Sequence, residues 1–172
     1  MRIVCCNIKE NHTRADTDAV LLRCAKEFAL RQNKTVPESV FHTENGKPYV
    51  KEDGIFIGAA HTCGRLFAAA CEVPFGIDAE STKRNTRGAS KIAAKYFSCG
   101  EQKLLMSGEK TFAEIWTAKE SFLKLTGEGL AGLREADTVK LPYVFEYMKL
   151  GDILICVCSK ARIENISAVP EK

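Results

Sequence analysis

Two acidic residues lie two positions apart in a short alternating segment over residues 73–80. If this segment is a strand, Asp78 and Glu80 lie on one face together with Gly76, and the two carboxylates are roughly 6–7 Å apart. Both could then reach one hard cation such as Mg²⁺, which prefers one or two protein carboxylates completed by phosphate oxygens and water. Gly76 would leave room for a ligand to approach. A strand end with two exposed acids is the alternative, because the Asp-x-Glu pattern alone is common.

A lysine and a glutamate lie within the apolar face of a predicted helix over residues 109–126. The helical period places Lys119 in the middle of this face, with Glu120 beside it. A buried lysine is unfavourable unless an anion meets it, although a long side chain can also reach the surface. Glu120 can pair with Lys124 one turn later. These residues suit a site that holds phosphate and metal together. The apolar residues of the face are Phe112, Ile115, Trp116, Phe122 and Leu123.

Two further residues could bind phosphate in the first part of the chain. His61 follows an apolar run over residues 55–60, where a strand would pass into a turn, and Arg65 comes shortly after it. A histidine or arginine there can donate to a phosphate. Lys47 follows the Asn45-Gly46 turn signal. Both His61 and Lys47 could equally be ordinary surface residues.

The elements that position these residues follow the order strand, helix, hairpin twice. We expect an α+β fold of two similar halves, residues 1–72 and 73–172, in a pseudo-twofold arrangement. They would form one compact unit with a site in the cleft between the halves. The first half is predicted to contain a strand at 2–8, a helix at 16–30 starting at Asp16 or Thr17, and a hairpin of 54–60 and 66–73. The second half is predicted to contain a strand at 73–80, helices within 88–126, and a hairpin of 141–150 and 153–158.

The charge is mild overall but uneven along the chain. The net charge of +3 does not indicate nucleic-acid binding. Residues 83–95, which we call the basic run, contain five basic residues and no acidic one. Such a run is either a solvated face or a docking surface for an acidic protein. Its basic residues are Lys83, Arg84, Arg87, Lys91 and Lys95.

The cysteines and the hydropathy indicate a cytoplasmic protein without a membrane segment. The chain contains eight cysteines but no Cys-x-x-Cys pair, and its three histidines form no zinc pattern with them. We therefore expect reduced structural thiols. No apolar run approaches the ~18 residues that a membrane helix requires.

Together these segments resemble the 4′-phosphopantetheinyl transferase superfamily. Its signature is a G-[IV]-D-x-E strand followed some forty residues later by a helix reading W-[ST]-x-K-E-[AS]-x-x-K. Residues 76–80 read G-I-D-A-E, and residues 116–124 read W-T-A-K-E-S-F-L-K. The tail at 127–130 and the F-S-x-x-E start at 97–101 also fit. Ser98 and Glu101 in addition form a capping-box pattern, which predicts the start of a helix.

Two upstream elements indicate the subtype. Residues 46–48 look like the family's G-K-P element, and residues 60–62 look like its S-H-[ST] element. Both are typical of the surfactin-synthetase-activating type, a monomer with two similar halves. The shorter holo-acyl-carrier-protein synthases lack them and assemble as trimers.

The resemblance implies a reaction and a set of roles. A serine of an apo acyl or peptidyl carrier protein would attack the β-phosphate of coenzyme A and release 3′,5′-ADP. Mg²⁺ would be held on the pyrophosphate by Asp78, Glu80 and Glu120, with Asp78 also contacting the cofactor. Lys119 and Lys124 would neutralise phosphate oxygens. Glu120 and Lys119 would be the catalytic residues, with Glu120 as general base directly or through a water.

The resemblance also implies nucleotide contacts and a partner. Lys47 and His61 would contact the nucleotide phosphates of coenzyme A, including the 3′-phosphate. Carrier proteins are typically acidic, so the basic run would steer them in. The carrier could serve fatty-acid, polyketide or nonribosomal peptide synthesis.

One residue departs from the family pattern. The usual serine before the histidine is Ala60 here. The missing hydroxyl predicts weaker or rearranged coenzyme A binding, since a hydrogen bond to a charged group contributes about 1.5–3 kcal/mol. Ala60 thereby favours one alternative, a catalytically weak coenzyme A-binding sensor or scaffold. Another alternative, a magnesium-dependent phosphohydrolase, would explain the carboxylates but would leave the Lys119-Glu120 placement and the upstream elements without a role.

Overall fold

The structure, a computed structural model, describes residues 1–8, 12–83, 86–164 and 166–170, without the side chains of 86–87 and 167–170. The fold is α+β, as predicted. The chain divides into two units: Met1–Phe75 with Arg162–Lys172, and Gly76–Ala161. The C-terminal residues join the first unit because the strand Ser167–Pro170 pairs with the strand Arg2–Asn7.

The first unit is a four-stranded sheet with one long helix. Strand β1 lies between β5, which is antiparallel to it, and β9, which is parallel to it, and the sheet order is β4-β5-β1-β9. Strands β2 and β3 form a separate short antiparallel pair. The elements are β1 (Arg2–Asn7), α1 (Arg14–Arg31), β2 (Phe41–His42), β3 (Pro48–Tyr49), β4 (Phe56–Thr62), β5 (Arg65–Cys71) and β9 (Ser167–Pro170).

Helix α1 begins earlier than predicted. Thr13 is its N-cap: the Thr13 hydroxyl accepts from the backbone N–H of Asp16, and the Asp16 carboxylate accepts from the backbone N–H of Thr13. Asp16 therefore lies inside the first turn, as the reciprocal partner in a capping box. The buried face of α1 contains Leu21, Cys24, Ala25, Phe28 and Ala29.

The second unit is a three-stranded sheet with three α-helices. The sheet order is β6-β8-β7, and β7 and β8 form an antiparallel hairpin that turns at Gly151-Asp152, as predicted. A 3-10 turn over Gly129–Leu133 follows the last helix. The elements are β6 (Phe75–Ser81), α2 (Thr86–Tyr96), α3 (Cys99–Met106), α4 (Phe112–Thr126), β7 (Val144–Leu150) and β8 (Ile153–Ser159).

The strand, helix and hairpin order is present in each unit taken by itself. In both units the first strand pairs with the second strand of the hairpin, β1 with β5 and β6 with β8. The predicted order of elements is therefore confirmed, and the pseudo-twofold arrangement stays a prediction. Each unit also has its own apolar core. One surrounds Phe28 and Ile57, and the other lies around Phe122 and Leu133.

A two-residue turn connects β4 and β5. Cys63 and Gly64 have φ values of 49° and 69°, the backbone signs of a type I′ hairpin. The strands therefore extend further than predicted, and His61 lies within β4, opposite Leu66, rather than in the turn.

The cysteines are present as thiols, as predicted. Five of the eight are buried: Cys5, Cys24, Cys71, Cys156 and Cys158. Among the described helices, none is long and apolar enough to cross a membrane.

Gly76 permits a close approach between β6 and α4. A Cβ added at Gly76 would lie 1.9 Å from the carbonyl oxygen of Ser121 and 2.6 Å from the backbone nitrogen of Leu125. Both distances are far below van der Waals contact. The space at Gly76 is therefore filled by the helix backbone, and the expectation that it admits a ligand was wrong.

Replacing Gly76 with Ala should destabilise the protein by about 3 kcal/mol or more, because the methyl group would overlap backbone atoms of α4. Gly88 is the matched control, because it is in helix α2 and a Cβ there meets nothing within 4 Å. Gly88→Ala should stabilise the protein by about 1 kcal/mol through helix propensity. Urea unfolding followed by circular dichroism measures both. Equal effects of the two substitutions would contradict the proposed close contact.

Candidate functional site

A buried ion pair positions helix α4. Lys119 is completely buried, and its Nζ donates to Glu101 Oε1 at 3.1 Å and to Oε2 at 2.8 Å. The same Nζ donates to the carbonyl oxygen of Ala136. Glu101 is also completely buried. The anion that meets the lysine on the apolar face of α4 is therefore a side chain of the protein.

Glu101 has its remaining acceptor positions filled by neighbouring segments. Its Oε2 accepts from the backbone N–H of Ser98 at 2.7 Å, which is the capping box that begins α3. Its Oε1 accepts from the backbone N–H and the hydroxyl of Thr138, at 2.8 and 2.7 Å. A buried charge tolerates desolvation only when it is paired and fully hydrogen-bonded, and this network meets that condition.

Glu101 is the partner of Lys119, and the sequence did not reveal this pairing. The Ser98-to-Glu101 capping box was visible in the sequence, and its simple interpretation was a helix start. That box also delivers a carboxylate to Lys119, which the spacing could not show. A phosphate contact at Lys119 would require this internal pair to open, so that role stays a prediction.

The acidic residues of β6 and α4 are brought together in the second unit. Asp78 is 8% exposed on β6, and Lys124 Nζ donates to Asp78 Oδ1 at 2.7 Å. Lys124 therefore bonds across elements to Asp78, and it also acts through its charge on Glu120, its predicted partner. We call Asp78, Glu80 and Glu120 the acidic group. Lys124 is the lysine that neutralises part of it.

The pKa values show that the three carboxylates interact. Burial is the main cause that raises the pKa of Asp78, and Lys124 only partly offsets it. Burial also raises the pKa of Glu120, and the charges of Asp78 and then Glu80 raise it further, while Lys124 lowers it. The carboxylate of Glu80 accepts from the backbone N–H of Ser81 at 2.9 Å. Burial and mutual repulsion therefore disfavour the ionised forms of Asp78 and Glu120, and Lys124 offsets this only in part.

The acidic group fits a divalent cation by its chemistry. Its donors are carboxylate oxygens, which Mg²⁺ prefers, and their mutual repulsion is what a cation would relieve. The three carboxylates are not arranged as a formed cation site, however, because within the described part of the chain no three His, Cys, Asp or Glu side chains form a metal-binding group. A cation on Asp78 would also compete with Lys124 for Oδ1.

The phosphate-binding residues predicted in the first unit both lie near the first turns of α1. His61 Nε2 is 3.3 Å from the hydroxyl of Thr17. Arg14 Nη2 donates to the carbonyl oxygen of Gly46 at 3.4 Å, which attaches the turn that carries Lys47. Lys47 is half-buried, and burial lowers the pKa of its ammonium.

His42 reinforces this attachment. Its Nε2 lies 3.0 Å from Asp18 Oδ1, and its Nδ1 lies 3.1 Å from the carbonyl oxygen of Gly46. The sequence reasoning assigned no role to His42 or Arg14, because their contacts join segments about thirty residues apart.

Ala60 is completely buried on β4. A serine hydroxyl at this position would therefore be buried, away from the exposed ring of His61. The hydroxyl that lies beside His61 in this structure belongs to Thr17.

A comparison with protein families decides the relationship. A model of the 4′-phosphopantetheinyl transferase superfamily matches residues 74–153, which include the whole acidic group and Lys119 and Lys124. Residues 74–153 belong to this superfamily. Lys47 and His61 lie outside the residues that this family model matches.

Curated 4′-phosphopantetheinyl transferases are similar over a longer part of the chain. The chain is 35% identical over 99 residues to psf-1 of Bacillus pumilus, covering 54% of this chain and 41% of the relative. It is 32% identical over 114 residues to HetI of Nostoc sp., covering 59% and 46%. It is 32% identical over 105 residues to Sfp of Bacillus subtilis, covering 57% and 45%. The chain spans less than half the length of these transferases. The similarity to Sfp supports the predicted subtype, while its monomeric state and its two similar halves stay predictions.

Removing one partner of the buried pair should strongly destabilise this protein. Glu101→Ala leaves Lys119 buried without its carboxylate, and we expect a loss of about 3–5 kcal/mol in the free energy of unfolding. The double variant Glu101→Leu, Lys119→Met should recover much of that loss, because it leaves no buried charge unpaired. Urea unfolding of each variant measures these effects.

The exposed pair of Lys83 with Asp152, 2.7 Å apart, is the control. Lys83→Ala should leave the unfolding midpoint unchanged, because exposed ion pairs contribute little. If Glu101→Ala behaved like Lys83→Ala, the buried pair would not be what holds α4 in place.

Proposed function

We propose that this protein transfers the 4′-phosphopantetheine arm of coenzyme A to a serine of an apo acyl or peptidyl carrier protein. The observation that carries the proposal is the acidic group with Lys124, within the residues that match the superfamily. Three interacting carboxylates and one lysine suit a site for a metal-bound pyrophosphate.

The reaction is a displacement at phosphorus. The carrier serine oxygen forms a bond to the β-phosphorus of coenzyme A, and the bond from that phosphorus to the bridging oxygen breaks. The leaving group is 3′,5′-ADP, which takes the electron pair of the broken bond. The serine proton goes to a general base.

Glu120 is the proposed general base, acting directly or through a water. Its side chain is half-buried, and its raised pKa makes the carboxylate a better proton acceptor than an exposed glutamate. Lys119 is adjacent, and its pair with Glu101 lets it orient Glu120 through the helix backbone. A direct role of Lys119 on phosphate oxygens would require that pair to open.

Asp78, Glu80 and Glu120 would hold Mg²⁺. When bound, the ion would supply charge neutralisation at the pyrophosphate oxygens and on the leaving group. Lys124 lies on the same group, 2.7 Å from Asp78, and would bind a phosphate oxygen once a cation takes its place on Asp78.

In the first unit, Lys47 and His61 would contact the nucleotide phosphates. Their shared attachment to the first turns of α1 supports this role. That one site joins these residues with the acidic group stays a prediction.

An acidic carrier protein is the proposed partner, docking near the basic run. Lys91 and Lys95 are exposed on α2, and Lys83 is exposed and paired with Asp152. Arg84 and the side chain of Arg87 lie outside the described residues. A monomeric state and a cytoplasmic location are also proposed, and the eight cysteine thiols support a reducing compartment.

The direct test incubates the protein with coenzyme A, Mg²⁺ and an apo carrier protein and weighs the carrier by mass spectrometry. We expect the carrier to gain the mass of phosphopantetheine. Glu120→Gln should reduce transfer at least about 100-fold, because a positioned base contributes that much or more. Glu109→Gln is the control, because Glu109 is exposed and outside the acidic group.

Coenzyme A binding with no modification of fatty-acid, polyketide or nonribosomal peptide carriers would favour the sensor or scaffold instead. Full activity of Glu120→Gln would remove Glu120 from the base role. The fold of each variant is checked by circular dichroism.

The raised pKa values predict a pH-dependent response to Mg²⁺. Asp78 and Glu120 bind protons more readily in the folded protein, so the stability they contribute is lost as pH rises through their folded pKa values. A cation that neutralises them should restore it, and protons should compete with the cation at low pH. We expect a larger Mg²⁺-induced rise in melting temperature at pH 7.5 than at pH 5.

The expected stabilisation of the folded protein by Mg²⁺ is about 1.4 kcal/mol at a Mg²⁺ concentration ten times its Kd. Differential scanning fluorimetry in matched ionic strength measures the effect. Asp78→Asn should abolish it. An equal shift at both pH values, or in Asp78→Asn, would show that the ion binds elsewhere.

A further inference from the structure

The turn that carries Lys47 is held together by hydrogen bonds within residues 43–47. The backbone N–H of Thr43 donates to the carbonyl oxygen of Lys47 at 3.0 Å, and that of Gly46 donates to the carbonyl oxygen of Thr43 at 2.8 Å. The backbone N–H of Lys47 donates to the Thr43 hydroxyl at 3.1 Å. We call residues 43–47 the lysine turn. These bonds fix the backbone of Lys47 relative to Thr43, the residue that follows His42 in the chain.

His42 joins the lysine turn to helix α1. Its Nε2 lies 3.0 and 3.1 Å from the two carboxylate oxygens of Asp18 on α1, and its Nδ1 lies 3.1 Å from the carbonyl oxygen of Gly46 in the turn. The side chains of His42 and Asp18 are 22% and 28% exposed, so this pair is shielded from water more than an ordinary surface pair is. One imidazole therefore bridges the turn and a helix residue that lies 24 positions earlier in the chain.

Arg14 gives this bridge a bonding arrangement in both protonation states of His42. Both ring nitrogens of His42 face acceptors, and an imidazole has an N–H on each nitrogen only when it is protonated. Arg14 Nη2 lies 3.2 Å from Nδ1 and 3.4 Å from the carbonyl oxygen of Gly46, so it can donate to both atoms when Nδ1 has no proton. The lysine turn is therefore attached to α1 whichever protonation state His42 adopts.

The short hairpin that contains the lysine turn needs such an attachment. Strands β2 and β3 pair at only two positions, Phe41 with Tyr49 and His42 with Pro48, and so short a ladder is marginally stable by itself. Strand β3 also contacts β4, which holds the base of the hairpin. His42 and Arg14 add contacts at its turn. Because a lysine has a flexible four-carbon stem, the position of the turn determines where the ammonium can reach.

We propose that His42 is a positioning residue for coenzyme A: by holding the lysine turn on α1 through Asp18, it sets the position from which Lys47 contacts a phosphate of the ligand. The proposal rests on the proposed function, because it takes Lys47 as a phosphate contact. In this role His42 acts on the ligand only through Lys47. Its contribution to binding should therefore disappear when the ammonium of Lys47 is removed.

Asp18 distinguishes an effect of position from an effect of charge. Like charges repel, so an acid near a phosphate site weakens binding through its charge. If charge alone matters, Asp18→Ala should strengthen coenzyme A binding. If Asp18 anchors His42, the same substitution releases the lysine turn from α1 and weakens binding. The two explanations predict changes of opposite sign, and we expect weaker binding.

The test is a double-mutant cycle between His42 and Lys47. Isothermal titration calorimetry at matched ionic strength measures the Kd of coenzyme A for the wild-type chain, His42→Leu, Lys47→Ala and the double variant. We expect His42→Leu to weaken binding about tenfold in the wild-type background and to have almost no effect in the Lys47→Ala background. A residue that supports the fold in general would weaken binding equally in both backgrounds.

Two further variants control the comparison. Glu44→Gln changes the charge of an exposed residue in the same turn, and its effect on the Kd should be equal in the wild-type and Lys47→Ala backgrounds. His42→Gln should retain much of the wild-type affinity, because an amide N–H can replace Nε2 as the donor to Asp18. Circular dichroism checks the fold of each variant. If His42→Leu does not fold, Asp18→Ala takes its place in the cycle.

Each outcome bears on the proposal. Equal effects of His42→Leu in the two backgrounds overturn it, as do tighter binding by Asp18→Ala and unchanged binding by Lys47→Ala. If His42→Leu has its effect only in the presence of Lys47 while carriers are never modified, the positioning role stands and the transferase proposal fails. If carriers are modified while the two effects are equal, the reverse holds. No coenzyme A binding at all overturns both.

Discussion

The second unit depends on one pair of opposite charges in its interior. Lys119 and Glu101 are both completely buried, and the pair is favourable only because every polar atom of it has a partner. Those partners come from the start of α3, from α4 and from the segment at 136–138. Because a helix fixes the directions of its side chains relative to one another, anchoring Lys119 in the core also determines where Glu120 and Lys124 point.

Gly76 adds the second constraint, because it lets the backbones of β6 and α4 come into contact. Without a side chain there, Asp78 on the strand comes within hydrogen-bonding distance of Lys124 on the helix. The two groups of buried charges differ. Lys119 and Glu101 compensate each other, whereas Lys124 offsets only part of the burial and mutual repulsion that raise the pKa values of Asp78 and Glu120. Carboxylates that repel one another in this way are what a bound cation would stabilise.

In the first unit, the N-terminus of α1 has the comparable organising role. The capping box of Thr13 and Asp16 sets where the helix begins. That start places Arg14 against the turn that carries Lys47 and places Thr17 between His12 and His61. Three segments that are distant in sequence thus meet at one helix end. Their hydrogen-bond donors face an end of the helix that itself favours anions.

Much of this protein follows from local sequence signals. Alternating and helical periods predicted the order of strands and helices. Residue types at particular positions predicted the Gly151-Asp152 turn and the capping box at Ser98. The motif residues Asp78, Glu80, Glu120 and Lys124 were recognisable by type and spacing. The partners of these residues could not be recognised from the sequence, because a charge on a helix face does not reveal which distant group will pair with it. Only the tertiary structure shows that Lys119 pairs with Glu101 and that Lys124 pairs with Asp78. It also shows that the backbone of a helix fills the space at Gly76. Local patterns depend on neighbours along the chain, whereas burial and pairing depend on neighbours in space.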